Sequence, residues 1–303
     1  MSTPMPADRG RPGVSPAGPT GLALRPGRPD DAPTCGRIAY EAFRSIADRH
    51  GYPGDFPSGE VATGLLSGLL GHPGFYSVVA ELEDRIVGSN FLDERSVIAG
   101  VGPITVDPGV QDRRIGRRLM QAVLDRAAAR QLAGVRLLQS AYHTRSFALY
   151  AGLGFQVRGA IACLQGAPLG ATIPGRAVRP AVEADLDSMK RVCWSVHGHD
   201  RGGEALDAIR GGTAMVVEHA GRITGYATAM AFFGHAVGET TDDVKALIGA
   251  APGFDGPGIL VPAESPLLKW CLDHGLRVVQ LMTLMSIGLY NEPTGSYLPS
   301  VLY

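Results

Sequence analysis

The residues best placed to do chemistry lie between positions 103 and 118. Pro103-Ile104-Thr105-Val106-Asp107-Pro108 is a β-branched run stopped by proline and predicts a strand. The loop Gly109-Val110-Gln111-Asp112 separates it from a strongly helical stretch. A helix begins with unpaired N–H groups and a partial positive charge, so it binds anions without any special side chain. Arg113, Arg114, Arg117 and Arg118 crowd that turn, which suits a phosphate. A solvated basic helix face would use the same residues with no ligand. Elsewhere the reactive residues are scattered. Cys35, Cys163, Cys193 and Cys271 contain no Cys-x-x-Cys pair, so neither a disulfide framework nor a zinc site is expected. His197 and His199 flank Gly198 without the ligand spacing of a metal site and read as loop residues.

The surrounding pattern shows what must hold the basic turn in place. Leu119, Val123 and Ala127, beside Met120, Leu124 and Ala128, form an apolar stripe at i, i+4 spacing. Gly134 ends this helix, and Val135-Arg136-Leu137-Leu138 reads as the next strand. A second helix covers Ser146 to Ala151, and Phe155-Gln156-Val157 is a last strand. Strand, helix, strand, helix, strand predicts a mainly parallel arrangement here. Upstream, Leu22 to Pro26 reads as a strand, and Asp30 and Asp31 cap a helix through about Phe43.

The chain of 303 residues is long enough for two domains at roughly 150 residues each, and it repeats itself. Arg25-Pro26 with Asp31 matches Arg179-Pro180 with Asp185. The hairpin pattern at 77–88 matches that at 215–225. Two similar α/β units follow, at 21–165 and 176–303, joined by a Gly-, Pro- and Ala-rich stretch at 166–175. In the second, Ala263 to His274 is an amphipathic helix and Arg277 to Met285 a strand, but the basic turn is missing.

Composition limits the alternatives. Hydrophobic residues at 45% and charged residues at 19% describe a soluble globular chain. A net charge of -1 gives no bulk reason to bind nucleic acid or a membrane surface. No stretch approaches ~18 uncharged apolar residues. Residues 1–20, rich in Pro, Gly, Ser and Arg, have no apolar core of a secretory signal and read as a disordered tail. With unpaired cysteines, a cytoplasmic setting is expected.

The order of these residues resembles the GCN5-related N-acetyltransferases, whose signature is Arg/Gln-x-x-Gly-x-Gly/Ala after a strand ending in Val-x-Pro. Here Val106-Asp107-Pro108 precedes Gln111-Asp112-Arg113-Arg114-Ile115-Gly116, with Arg114 at the first glycine. Downstream, the family's Asn-x-x-Ala-x-x-Leu-Tyr and Gly-Phe correspond to His143, Ser146, Leu149-Tyr150 and Gly154-Phe155. The resemblance covers roughly residues 22 to 165. It implies a mixed α/β (α+β) fold with a centrally parallel sheet flanked by helices, present as two tandem units, the second a degenerate copy.

The same resemblance implies transfer of an acetyl group from acetyl-CoA to an amine of a small molecule or peptide by direct attack. Ile104, Thr105 and Val106 would pair with the pantetheine arm. Residues 111–118 (Gln111, Asp112, Arg113, Arg114, Ile115, Gly116, Arg117 and Arg118), with Ser146, would bind the cofactor, and Tyr150 would protonate the departing thiolate. For the general base the candidates are His143, with a suitable ordinary pKa of about 6.5, Asp93, Glu94 or a relay through water; Asp93 and Glu94 are also candidates at the acceptor wall. No metal is implied. The second unit would complete the substrate pocket or form a homodimer face, with 295–299 covering a cleft. An acyl-CoA-binding or small-ligand sensor that has lost catalysis is the alternative, motivated by Arg114, His143 and the absence of a strand glutamate at 135–139.

Overall fold

The computed structural model describes residues 21–111 and 113–302; the tail expected over 1–20 and Asp112 of the basic loop lie outside the described residues. Two runs of elements follow the same order. The first is β1 (Leu22–Pro26), α1 (Ala32–His50), α2 (Gly59–Gly71), β2 (Phe75–Leu82), β3 (Arg85–Asp93), β4 (Ile98–Val101), β5 (Thr105–Val106), α3 (Ile115–Ala129), β6 (Gly134–Ser140), α4 (Thr144–Ala151) and β7 (Gln156–Gln165). The second is β8 (Ala177–Pro180), α5 (Leu186–His197), α6 (Gly202–Arg210), β9 (Met215–His219), β10 (Arg222–Ala227), β11 (Ala236–Gly238), α7 (Thr241–Ala250), β12 (Ile259–Pro262), α8 (Pro266–Asp273) and β13 (Arg277–Gly288), after which comes a short β14 (Ser296–Leu298).

The repeat extends to single atoms. Arg25 donates to both carboxylate oxygens of Asp31 at 2.7 and 2.9 Å and to Glu81 at 2.8 Å. Arg179 does the same with Asp185 at 2.7 and 2.9 Å and with Glu218 at 2.9 Å. Each aspartate also accepts a backbone N–H, from Arg28 or Val182, and so pins the first strand to the turn that enters the following helix. The adjacent guanidinium holds both carboxyls below the ordinary aspartate value.

Helix α1 runs beyond Phe43 to His50, where Gly51 at φ 71° ends it in the left-handed conformation. The sequence pattern did not point to α2. Its glycines at 59, 64, 68 and 71 weaken helix propensity, yet Ala62, Leu66 and Leu70 at i, i+4 spacing are buried, and Ser58 caps it by accepting the N–H of Val61. On α3, Ile115, Leu119, Met120, Val123 and Ala127 are buried, whereas Ala128 is exposed.

The larger sheet has the order β1-β2-β3-β4-β6-β13-β7-β12, with β5 continuing along β3. It is mostly antiparallel, and its one parallel pairing among the described strands joins Ile98–Gly100 of β4 to Gly134–Arg136 of β6. Strands β6 and β7 do run the same way, as their connection through α4 requires, but β13 lies between them, antiparallel to both. A strand from the second run therefore completes the sheet of the first. Its side chains are buried on both faces: Met285 joins the core containing Leu119, Val123, Tyr150 and Phe155, while Met282 and Leu284 face Leu138 and Ile161. The smaller sheet is β14-β11-β10-β9-β8. No helix among the described residues is long and apolar enough to cross a membrane.

Candidate active site

The parallel pairing of β4 with β6 stops at Gly100 and Arg136, although both chains continue. Past that point the first wall turns away to pair with β3 at Thr105 and Val106, while β6 runs on to Ser140. The gap is a cleft of about 950 Å³, walled by Val101 to Val106 on one side and Leu137 to Ser140 on the other. Each wall presents a strand edge not used by the other, so an extended arm with amide groups could pair there.

The basic loop closes one end. Asp107 accepts the N–H of Gly109 at 2.8 Å and starts a tight turn over Pro108–Val110. The Gln111 amide donates to the Val106 carbonyl at 3.3 Å and accepts from Arg145 at 3.3 Å, joining the loop to both strand and α4. Arg114 precedes α3 with φ 60° and ψ 15°, in the left-handed region. The departure from glycine therefore falls where glycine is favoured, at a strain of about 1 kcal/mol. The loop folds nonetheless, and Arg114 and Arg117 line the cleft at the start of α3.

Tyr150 is 6% exposed, lines the cleft and packs edge-on to Phe155 at 6.2 Å. Burial pushes its hydroxyl up to about 12, opposed by a hydrogen bond with Ser146. The Ser146 hydroxyl also lies 2.8 Å from Nδ1 of His143, the residue that precedes α4. Ser146 thus bonds His143 and also influences Tyr150 one turn further along α4. Burial, then the charges of Arg145, His50 and Arg49, bring His143 down to about 4, so its imidazole is neutral at pH 7 and a weak base.

Of the residues singled out from the sequence, Ile104, Thr105, Val106, Gln111, Arg114, Ile115, Gly116, Arg117, His143, Ser146 and Tyr150 all line this cleft. Four others do not. Arg113 is exposed outside it, and Arg118 turns back to donate to the Leu22 carbonyl at 3.0 Å. Glu94 holds Arg126 at 2.6 and 2.9 Å, and Asp93 holds Arg95 at 2.6 Å, so both acidic residues serve as ion-pair anchors away from the cleft. His197 and His199 are buried against each other, with His197 also against Tyr297, rather than lying in an open loop. Sequence reasoning missed Asp55; it expected the second unit at the pocket without naming the residues, and Phe232, Phe233, Met282, Val301 and Leu302 of the second run also line the cleft. The setting of Asp55, between Tyr52-Pro53-Gly54 and Phe56-Pro57, was the available signal: aromatic residues in a short helix connection need something to pack against.

The corresponding place in the second run is filled from within. Helix α7 opens on a capping box in which Thr240 and Asp243 bond reciprocally, and the fully buried Asp243 accepts from Arg176 at 2.6 Å and Thr224 at 2.7 Å. A carboxylate thus occupies the helix terminus that would attract a phosphate. Strand β14 pairs with β11 from Ala236 to Gly238, covering the equivalent strand edge, so residues 296–298 are a strand rather than a loose cover. We expect calorimetric titration with acetyl-CoA to give about one site per chain; two equivalent sites would overturn this account of α7.

The fold is that of solved GNAT proteins, a tandem one among them, and the likeness extends over nearly the whole chain. A putative acetyltransferase from Pyrococcus horikoshii is 18% identical with a TM-score of 0.69, covering 95% of this chain and 98% of its own. A GCN5-related N-acetyltransferase from Sphaerobacter thermophilus is 16% identical with a TM-score of 0.62, covering 91% and 98%. A tandem GNAT protein from the clavulanic acid biosynthesis pathway is 14% identical with a TM-score of 0.56, covering 88% and 98%. At these identities the likeness is one of fold. Residues 73–157 match the sequence model of the acetyltransferase (GNAT) domain, so the chain carries a GNAT domain over the stretch that supplies the basic loop and Tyr150. No curated protein matches the sequence.

Proposed function

We propose that the chain is an N-acetyltransferase that moves an acetyl group from acetyl-CoA to an amine by direct attack. The observation that carries this reading is the splayed cleft, with open strand edges, a basic helix start at one end and Tyr150 on its lining. The Thr105–Val106 edge pairs with pantetheine amides. The N–H groups at the start of α3, with Arg114, Arg117 and Arg145 nearby, hold the phosphates. An amide near Val106 stabilises the oxyanion that forms on the thioester carbonyl, the large electrostatic contribution in acyl transfer. Tyr150 supplies the proton to the leaving thiolate, and Ser146 and His143 form the route by which it is restored. The four cysteines are buried thiols, which fits a cytoplasmic setting.

Gly116 gives a direct test. A Cβ built there already lies 3.6 Å from Leu149 and 3.9 Å from Val106, so a larger side chain must project into the phosphate end. Acetyl-CoA at about 100 times its Kd should stabilise the wild type by roughly 2.7 kcal/mol, a Tm rise of several degrees. Gly116→Trp should abolish the rise while remaining folded. No rise in the wild type, or an equal rise in the variant, would remove the cofactor from this loop. A rise with no turnover on any amine would favour a binding-only sensor.

A further inference from the structure

We propose that Asp55 takes the proton from the acceptor's ammonium group, that Gln280 on β13 positions it, and that the acceptor is a primary amine on an apolar body of aromatic size. The inference rests on the acetyltransferase reading. Asp55 belongs to the connection between α1 and α2 and lines the cleft, where it is the one carboxylate among the described lining residues. Arg49, Arg114, Arg117 and Arg145 line it too, and the last three gather at the phosphate end. For a cation entering this cleft, Asp55 is therefore the place of favourable potential.

The Gln280 amide, 3% exposed, lies beside Asp55 and favours its ionised form, whereas Oδ1 of Asp55 is buried with no protein partner. A buried acceptor left unpaired costs about 1–3 kcal/mol, which an ammonium donor would recover. On the β6 wall Gln139 is similar, with both amide atoms buried and unpaired. Phe43 and Phe56, with ring centroids 5.6 Å apart, and Phe232 and Phe233, 5.7 Å apart, give the cleft its aromatic surface.

The groups around Asp55 bring it no counter-charge. Tyr142 and Cys163 are both pushed up by burial, Cys163 to about 12, so both are neutral at pH 7, and Arg49 and His50 lie along α1. Burial raises Asp55 to about 6, against the lowering effect of the Gln280 amide beside it. Such a carboxylate is ionised at neutral pH yet more basic than a surface aspartate, as a general base should be. His143, near 4, is the weaker candidate.

The protons balance. The ammonium gives one proton to Asp55, which passes it to solvent. The freed nitrogen attacks the thioester carbon and forms the C–N bond. As the C–S bond breaks, the sulfur gains a proton from Tyr150, which recovers one from the nitrogen through the Ser146 chain. The products are the N-acetyl amine, CoA thiol and one released proton.

The test uses acetyl-CoA with phenethylamine, tryptamine and hexylamine, following CoA release chromatographically between pH 5 and 9. In the wild type, kcat should rise with pH through about 6, because the base must be deprotonated. Asp55→Asn should lose about 10²–10⁴ in kcat together with that limb, with unchanged acetyl-CoA affinity. Gln280→Met should move the limb to higher pH, since the carboxylate loses a stabilising donor, and leave KM for acetyl-CoA unchanged. An intact limb in Asp55→Asn, an unmoved limb in Gln280→Met, or no turnover of any of the three amines by acetyl-CoA-bound protein would overturn the proposal. Failure of the wild type to bind acetyl-CoA would instead overturn the acetyltransferase reading beneath it.

Discussion

Replacing Tyr150 by phenylalanine is expected to lower kcat by about 10²–10⁴-fold and to leave acetyl-CoA affinity within about threefold. The change deletes one oxygen and keeps the ring against Phe155, so the packing cost is small. Loss of the hydrogen bond with Ser146 should cost roughly 1 kcal/mol of stability. At about 12, the hydroxyl is protonated throughout the working range. Full transfer to a thiolate of ordinary pKa, about 8.5 to 10, would be uphill by about 3–5 kcal/mol. On the proposed mechanism Tyr150 would therefore give up its proton only as the C–S bond breaks, to a sulfur whose basicity desolvation would raise. Steady-state rates with calorimetric binding on the same preparation decide the matter. A kcat within threefold of wild type would return Tyr150 to a packing role.

The second large effect concerns stability. Met285→Ala is expected to destabilise the fold by about 2–5 kcal/mol while preserving a single calorimetric transition. Met285 is completely buried, and apart from Met285 and the partly buried Ile287 of the same strand its core is built from the first run, including Leu119, Val123 and Tyr150. Strand β13 pairs with β6 from Met282 to Gly288 and with β7 from Arg277 to Ser286. Loosening it strips hydrogen bonds from two strands of the neighbouring run, so neither half has an independent melting point. Two separate transitions would refute that coupling. Acetyl-CoA should shift the single transition of the wild type as a whole.

Much of this was legible in the residues. The Arg-Pro pair followed by aspartate marked the repeat because a guanidinium gripping a capping carboxylate needs those types at that spacing. The basic helix start and the Leu149-Tyr150 pair pointed to one cleft because helical periodicity fixes which faces meet. What remained hidden depends on direction and on distant sequence. Residue type marked Asp93 and Glu94 as acidic, but not that Arg95 and Arg126 would claim them. Arg118 has the composition of a phosphate ligand and points the other way. A parallel β6–β7 pair was the simplest closure for a strand–helix–strand, and nothing local announced that a strand more than a hundred residues later would enter between them. Asp55 becomes meaningful only once that strand delivers Gln280 beside it.

That interleaving also bears on how the protein is made. Synthesis is vectorial, and residues 156–165 of β7 leave the ribosome long before residues 277–288 of β13 exist. At about 5–20 residues per second, the delay is on the order of ten seconds. Throughout that interval β6 and β7 each present a bare edge, an invitation to pair with a neighbouring nascent chain. The cleft cannot acquire its mature walls before residues 277–302 have emerged. A truncated messenger would thus yield an aggregation-prone fragment rather than half an enzyme.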